Sequence, residues 1–105
     1  MNLEQRLALN GTSLREFCRK WSITELAVFG PVLRDDFRRE SDVDFLATFD
    51  PKCRWSLLDQ VRMQGELAGM LGRPVDLVSR RGLETSRNPW RREAILTTAE
   101  TIYVA

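Results

Sequence analysis

Two aspartates in this chain have the type and spacing to hold a divalent cation. Asp42 and Asp44 are separated by one residue in the run Ser41-Asp42-Val43-Asp44-Phe45. On a β-strand, residues i and i+2 point to the same face, so the two carboxylates converge with about 7 Å between their Cα atoms. Carboxylates this close repel each other, and oxygen-only ligands suit a hard cation such as Mg²⁺.

A third aspartate stands alone in an apolar segment. Asp76 is flanked by Val75 and Leu77, which on a strand face the opposite side. If that strand lies beside the strand of Asp44, Asp76 joins the pair as a third ligand. The alternatives are turn or capping chemistry for the aspartate pair and, for Asp76, an ion pair with an arginine such as Arg34.

A turn that could bind phosphate precedes the aspartate pair. Gly30-Pro31 closes the apolar run 26–29, and glycine permits a tight turn with its backbone close to a ligand. Backbone N–H groups at the start of a following helix form an anion site. The Arg34 guanidinium can bind a phosphate through two hydrogen bonds. The position of this turn ahead of Asp42 fits a triphosphate lying between the turn and the carboxylates.

Helices and strands alternate along the chain and must position these residues. The alternation predicts an α/β or α+β domain over residues 1–105, with a mixed sheet of about four strands covered by helices. The sheet is expected to be mixed because the connection between residues 29 and 43 is short for a helical crossover. The predicted strands cover 26–29, 43–49, 75–78 and 101–104.

The predicted helices follow from caps and apolar spacing. They lie at residues 2–9, from Ser13, from Ser56 to Leu71, and from Asn88-Pro89 onward. Ser13 and Glu16 have the spacing of a capping box. In the second helix the predicted buried stripe is Leu14, Phe17, Cys18 and Trp21, and in the long helix it is Leu57, Val61, Ala68 and Leu71.

Composition excludes several classes of site. The 105 residues are 43% hydrophobic and 30% charged, which is typical of one soluble globular domain. A net charge of +1 argues against a dedicated nucleic-acid binder, and the arginine doublets are interpreted as solvated faces. The absence of histidine removes imidazole metal sites and Ser-His or Cys-His nucleophiles. No membrane span or signal peptide is predicted, so we expect free thiols at Cys18 and Cys53 and a cytoplasmic location.

The turn and the aspartates together resemble the signature of the minimal nucleotidyltransferase family of the DNA polymerase beta superfamily. That signature is Gly-Ser, ten residues and Asp-X-Asp. Here Gly30-Pro31 stands ten residues ahead of Asp42-Val43-Asp44. The resemblance extends over residues 23–104 and includes the runs 41–46 and 71–78 and the closing helix and strand.

The resemblance implies a nucleotidyl transfer with loss of pyrophosphate, using ATP and two Mg²⁺ ions. Asp42 and Asp44 would hold both ions, and Asp76 would hold the ion that activates the attacking hydroxyl. All three aspartates are thus expected to be catalytic and metal-binding. The residues expected to bind the nucleotide are Gly30, Pro31, Arg34 and Ser41.

The resemblance also implies a protein partner. Minimal family members commonly are antitoxins that neutralise a HEPN toxin by adding AMP to a tyrosine, in a type VII-like toxin–antitoxin system. The chain has almost no length left for an acceptor-binding domain, so a partner is expected to supply the acceptor. The alternative is a binding module that keeps the fold and neutralises its partner by complex formation. A homo-oligomer and a hetero-oligomer are both compatible with the sequence.

Two departures from the family pattern predict weaker triphosphate binding. Pro31 replaces the usual serine, and proline offers neither the hydroxyl nor the backbone N–H. Asp35 stands where glycine is common, and its negative charge faces the expected phosphate region. Both departures favour the binding-module hypothesis, whereas the three retained aspartates favour the enzyme.

Overall fold

The computed structural model of the protein describes residues 10–33 and 42–105. The helix predicted for residues 2–9 lies outside these ranges. The described elements, in chain order, are α1 Gly11–Lys20, β1 Ile23–Phe29, a 3₁₀ turn Gly30–Leu33, β2 Val43–Phe49, α2 Leu57–Leu71, β3 Val75–Ser79, α3 Arg80–Glu84, α4 Pro89–Thr98 and β4 Glu100–Val104.

The four strands form one mixed sheet in the order β3-β2-β1-β4. Strand β1 pairs antiparallel with both β2 and β4, whereas β2 and β3 are parallel. The parallel pair is joined through α2, a connection long enough to return the chain to the same edge of the sheet. The predicted α+β fold with a mixed sheet is therefore confirmed.

One face of the sheet carries the larger part of the core. Helices α1 and α2 pack on it, and every second residue of β2 from Val43 to Ala47 points into it, as do Leu26 and Val28 of β1. The predicted α1 stripe is confirmed, since its four residues are all buried here. The fully buried side chains of this face include Cys18, Leu26, Val28, Val43, Phe45, Met63 and Leu67.

The opposite face carries a smaller apolar cluster under α3 and α4. It consists of Ala27, Phe29, Leu46, Leu83 and Ile95. Residues two apart on a strand point to the same face, so Asp44, two residues before Leu46, belongs to this face. Asp76, two residues before Val78, belongs to it for the same reason.

Helix α1 begins earlier than its predicted capping box. The Asn10 side chain accepts hydrogen bonds from the backbone N–H groups of Thr12 at 2.9 Å and Ser13 at 3.2 Å. Asparagine is a strong N-cap because its side chain satisfies amides that the first turn leaves unpaired. The predicted helix start at Ser13, with its capping box to Glu16, is therefore wrong.

Helix α2 has the predicted ends but a different buried face. Ser56 and Asp59 form a capping box, and Gly72 ends the helix with a φ of 67°. Leu57 and Val61 are 78% and 58% exposed, so their predicted inward orientation is wrong. Gly65 does not interrupt the helix. The inward side chains are Met63, Leu67 and Leu71, with Ala68 packed against them.

Polar side chains explain the rotation of α2 relative to the prediction. The Gln60 amide donates to the Leu77 carbonyl at 2.9 Å, and the Gln64 side-chain oxygen accepts from the Leu77 N–H at 3.0 Å. These bonds satisfy backbone groups of β3, which is an edge strand with one row of unpaired groups. Gln60 and Gln64 therefore face the edge of the sheet, whereas the apolar pattern alone predicts that Leu57 and Val61 do so.

Candidate functional site

The two strand aspartates lie side by side. Asp44 of β2 and Asp76 of β3 are register partners in the parallel pair, so both side chains project from the same face. The N–H of Val43 donates to the Pro74 carbonyl at 3.0 Å and holds the starts of the two strands together. The strand of Asp76 thus lies beside that of Asp44, as the metal hypothesis requires.

The third aspartate, Asp42, is exposed just ahead of β2. Its charge acts on Asp44. Burial raises the pKa of Asp44 most, and the neighbouring carboxylates of Asp76 and then Asp42 raise it further. The aspartates therefore form a concentration of negative charge, with the half-buried Asp44 at its centre.

The turn after β1 presses its backbone against this cluster. Gly30 has a φ of 80°, a backbone conformation that residues with a side chain rarely adopt. It directly follows Phe29, which is the register partner of Asp44. A Cβ built on Gly30 would collide with the Oδ2 atom of Asp44. Glycine is therefore required here both by the backbone angle and by the approach of the carboxylate. Val32, which is fully buried, anchors the turn in the core.

The other predicted nucleotide ligands are only partly described. Pro31 is the second residue of the 3₁₀ turn that begins at Gly30. Arg34 and Ser41 lie outside the described residues, as does Asp35. Their assignment to phosphate binding stays a prediction.

The donor set suits Mg²⁺ that arrives with a nucleotide. Within residues 10–33 and 42–105, no group of three or more acidic or cysteine side chains is arranged to hold a metal ion by itself. Mg²⁺ usually takes one or two carboxylates and completes its shell with water and substrate phosphates. Asp44 and Asp76, side by side next to the Gly30 turn, fit this partial set, and a cation there would relieve their repulsion.

Sequence reasoning missed one basic residue near the site. The Arg91-Arg92 doublet was interpreted as a solvated face, but its members differ. Arg92 Nη1 donates to the Glu84 carbonyl at 3.2 Å and ties α4 to α3. Arg91 instead lies close enough to Asp44 to lower the pKa of that carboxyl. Its spacing of four residues from the buried Ile95 was the available signal.

A separate cavity of about 420 Å³ lies at the other end of the parallel strands. Its lining includes Thr48, Asp50, Trp55, Ser79 and Arg81, and none of the predicted site residues. None of the helices in the described ranges is long and apolar enough to cross a membrane.

A mixed sheet with aspartates on its parallel strands beside a glycine turn defines a nucleotidyltransferase-type fold. Residues 12–101 match the family model of the nucleotidyltransferase domain. The chain belongs to this family. The resemblance drawn from the spacing of Gly30 and the aspartate pair is thereby confirmed.

Three relatives place the chain within this family. It is 29% identical over 85 residues to the protein adenylyltransferase MntA of Thermococcus cleftensis, covering 81% of this chain and 84% of that protein. It is 33% identical to a minimal nucleotidyltransferase of known structure, with a TM-score of 0.68 and 97% of each chain covered. The fold also matches a complex of the tri-AMPylated HEPN toxin of Shewanella oneidensis with its MNT antitoxin. That match has a TM-score of 0.64 at 15% identity and covers 99% of this chain and 74% of the other.

Proposed function

We propose that this chain is a Mg²⁺-dependent protein adenylyltransferase that acts as an antitoxin in the cytoplasm. It transfers AMP from ATP to a hydroxyl of a HEPN-type toxin, most simply a tyrosine. The observation that carries the proposal is the in-register placement of Asp44 and Asp76 on one face, against the backbone of Gly30. Nucleotidyl transfer needs such a charge cluster beside a phosphate-binding turn.

The three aspartates are assigned to the metal and to the acceptor hydroxyl. Asp42 and Asp44, together with Asp76, are assigned to hold Mg²⁺, which when bound would neutralise phosphate charge and activate the attacking hydroxyl. Asp76 is exposed, so an acceptor hydroxyl presented by a second protein can reach it. We assign Asp76 to orient that hydroxyl and accept its proton while the α-phosphate bond forms and pyrophosphate leaves.

The relatives support a protein as the acceptor. The Thermococcus protein carries the name of a protein adenylyltransferase, and the Shewanella antitoxin is bound to an AMPylated toxin. The exposure of Asp42 and Asp76 suits an acceptor delivered on the surface of a partner. An enclosed pocket would instead select a small molecule.

The decisive experiment mixes the purified chain with its cognate HEPN protein and MgATP, followed by intact-mass and peptide mass spectrometry of the partner. We expect one or more AMP additions on a tyrosine, and none with the Asp42→Asn, Asp44→Asn double variant. A partner that binds the chain but gains no AMP would overturn the proposal.

A second candidate function is neutralisation by binding alone, and Pro31 favours it. Proline in the second position of the turn cannot donate the backbone N–H that a serine there would offer to phosphate. Rescue of cells from the toxin separates the candidates. The double variant protects cells at normal expression if binding suffices, and fails to protect them if AMP transfer is required.

A further inference from the structure

The exposed large hydrophobic side chains of the protein are concentrated at the start of α2. Seven such side chains are exposed within residues 10–33 and 42–105, and four of them fall within the short segment 55–61. These four, Trp55, Leu57, Leu58 and Val61, are called the α2 patch. Single exposed hydrophobic residues are normal on a protein surface, whereas a contiguous group of them marks an interaction site.

The α2 patch adjoins the cavity of about 420 Å³ at the far ends of β2 and β3. Trp55 lines this cavity, and so does Gln60, whose amide is held on the Leu77 carbonyl. Helix residues three or four apart are neighbours, so Leu57 contacts the side of α2 that carries both Gln60 and Val61. The cavity and the α2 patch therefore form one continuous surface.

The indole of Trp55 is already fixed in this surface. Its Nε1 donates to the Trp21 carbonyl at 2.9 Å, and its ring meets the Trp21 ring edge-to-face with 5.2 Å between the centroids. The side chain is nevertheless partly exposed. A side chain that is already held in place loses little conformational freedom when a partner covers it, so Trp55 is suited to anchor a protein interface.

Arginines with free donors surround the same surface. Arg54 and Arg81 line the cavity, and Arg62 is exposed on the second turn of α2. The side chains of these three arginines form no hydrogen bond or salt bridge with any residue in the described part of the chain. Their guanidinium groups are therefore available to a partner.

The acidic side chains of this region are engaged within the fold. Glu84 pairs with Arg80 at 3.4 Å. Asp59 accepts hydrogen bonds from the backbone N–H and the hydroxyl of Ser56. Asp50 accepts a hydrogen bond from a backbone N–H of its own turn at 2.9 Å. The free hydrogen-bonding capacity of the surface therefore lies in its arginines, and a complementary ligand must be acidic.

We propose that the α2 patch and the adjoining cavity dock the HEPN partner, through an apolar segment of that protein that carries acidic side chains. The inference rests on the proposed function, which supplies the identity of the partner. An apolar centre with tryptophan and arginine as its anchors is the usual composition of a protein–protein interface.

The charge of the surface argues against a second copy of this chain as the occupant. A two-fold symmetric interface places the same surface on both sides. The unpaired arginines of one copy would then face those of the other, and like charges brought together across an interface are repulsive. An acidic surface on a different protein meets no such repulsion.

The docking surface is separate from the aspartates. Thr48 lines the cavity and lies four residues along β2 from Asp44, which is about 13 Å at the rise of a strand. A partner docked at the cavity therefore leaves the carboxylates accessible to a nucleotide. Changes in the α2 patch should accordingly raise the KM for the partner in AMP transfer and leave kcat as it is in the parent.

The first test measures binding of the full chain to its purified cognate HEPN protein by titration calorimetry without nucleotide. The double variant Leu57→Ser, Val61→Ser should weaken binding at least about thirtyfold, the loss typical of an interface hot spot. Both side chains are exposed, so the variant should keep the circular dichroism spectrum of the parent. The matched control is Val104→Ser, an exposed residue of β4 at the opposite edge of the sheet, which should bind as the parent does.

The second test reverses charge at the cavity. Arg54→Glu with Arg81→Glu should weaken partner binding about tenfold or more at low ionic strength, and the difference from the parent should shrink in high salt because the charges are screened. Arg15→Glu, on the exposed side of α1, is the matched control and should bind as the parent does. Parent-like affinity in both double variants overturns the inference, and so does an equal loss in the controls.

Sedimentation of the chain alone checks the alternative occupant. We expect no self-association that depends on the α2 patch. A dimer of the parent that Leu57→Ser, Val61→Ser dissociates would assign the surface to a second copy and overturn the inference.

The two proposals fail in different ways. Partner binding that depends on the α2 patch, without AMP transfer, contradicts the adenylyltransferase function alone. AMP transfer with the same KM for the partner in the parent and in Leu57→Ser, Val61→Ser contradicts only the docking surface. A parent that does not bind the HEPN protein at all overturns both.

Discussion

The two faces of the sheet are formed by the same strands but have different roles. On the face under α1 and α2, residues such as Val43, Phe45 and Leu77 are buried and entirely apolar. On the other face, the residues between them include Asp44 and Asp76, next to a much smaller apolar cluster. One face thus supplies the stability that lets the other hold repelling carboxylates near its surface.

The largest expected effect is on chemistry and breaks the site face alone. Asp76→Asn should lower AMP transfer about 10²–10⁴-fold, the range for loss of a general base. Its free energy of unfolding should change by no more than about 0.5 kcal/mol, because Asp76 is exposed. Initial rates by mass spectrometry and urea denaturation measure the two quantities. Parent-like transfer rates would remove Asp76 from the mechanism.

The converse change breaks the core face. Phe45→Ala should cost about 3–5 kcal/mol of unfolding free energy, since it empties a fully buried position in a central strand. Urea denaturation followed by circular dichroism gives the value. A cost below about 1 kcal/mol would mean that this face is not the main source of stability.

Gly30 sharpens the comparison because it serves both the fold and the site. Gly30→Ala should destabilise the protein by about 1–3 kcal/mol, through the left-handed backbone and the collision with Asp44. The measurement is thermal or urea unfolding without nucleotide.

A second glycine is the matched control. A Cβ on Gly65 in α2 meets no atom within 4 Å, so Gly65→Ala should stabilise the protein by about 0.5–1 kcal/mol through helix propensity. If Gly30→Ala and Gly65→Ala changed the free energy of unfolding in the same direction, the account of the turn would be contradicted.

The smallest expected effect is in the pH dependence of stability. The pKa of Asp44 is raised in the fold, so the folded state favours its protonated form. In metal-free buffer, Asp44 therefore contributes stability at low pH that is lost as the pH rises through its raised pKa. Asp44→Asn should remove that loss. The melting temperature of the variant should therefore rise relative to that of the parent between acidic and neutral pH.

Asp59 provides the control of opposite sign. Hydrogen bonds from the Ser56 backbone and hydroxyl hold the pKa of Asp59 below its usual value. The stability that Asp59 contributes is therefore present above the pKa of this residue in the unfolded chain. It is lost as the pH falls through the lowered pKa of the folded state. The melting temperature of Asp59→Asn should fall increasingly below that of the parent as the pH rises. Parallel pH profiles for the two variants would contradict the assigned electrostatics.

Local chemistry explains why much of the fold was predictable. The caps at Ser56 and Asn88 and the stop at Gly72 depend on side chains within a few residues, and all three are present. The strand predicted for 43–49 has those bounds, and the one predicted for 75–78 runs one residue further, to Ser79. The predictions that were wrong concern α1 and α2, where Asn10 and two glutamines satisfy backbone groups that an apolar pattern does not register.

By itself, the sequence determined that one residue separates Asp42 from Asp44 and that glycine stands at a fixed distance ahead of them. Both are consequences of covalent spacing. Only the tertiary structure decided that β3 lies next to β2 with Asp76 opposite Asp44, because strand order and register depend on packing between distant segments. The same tertiary packing bound Arg92 to the Glu84 carbonyl, which the sequence pattern of the doublet does not show.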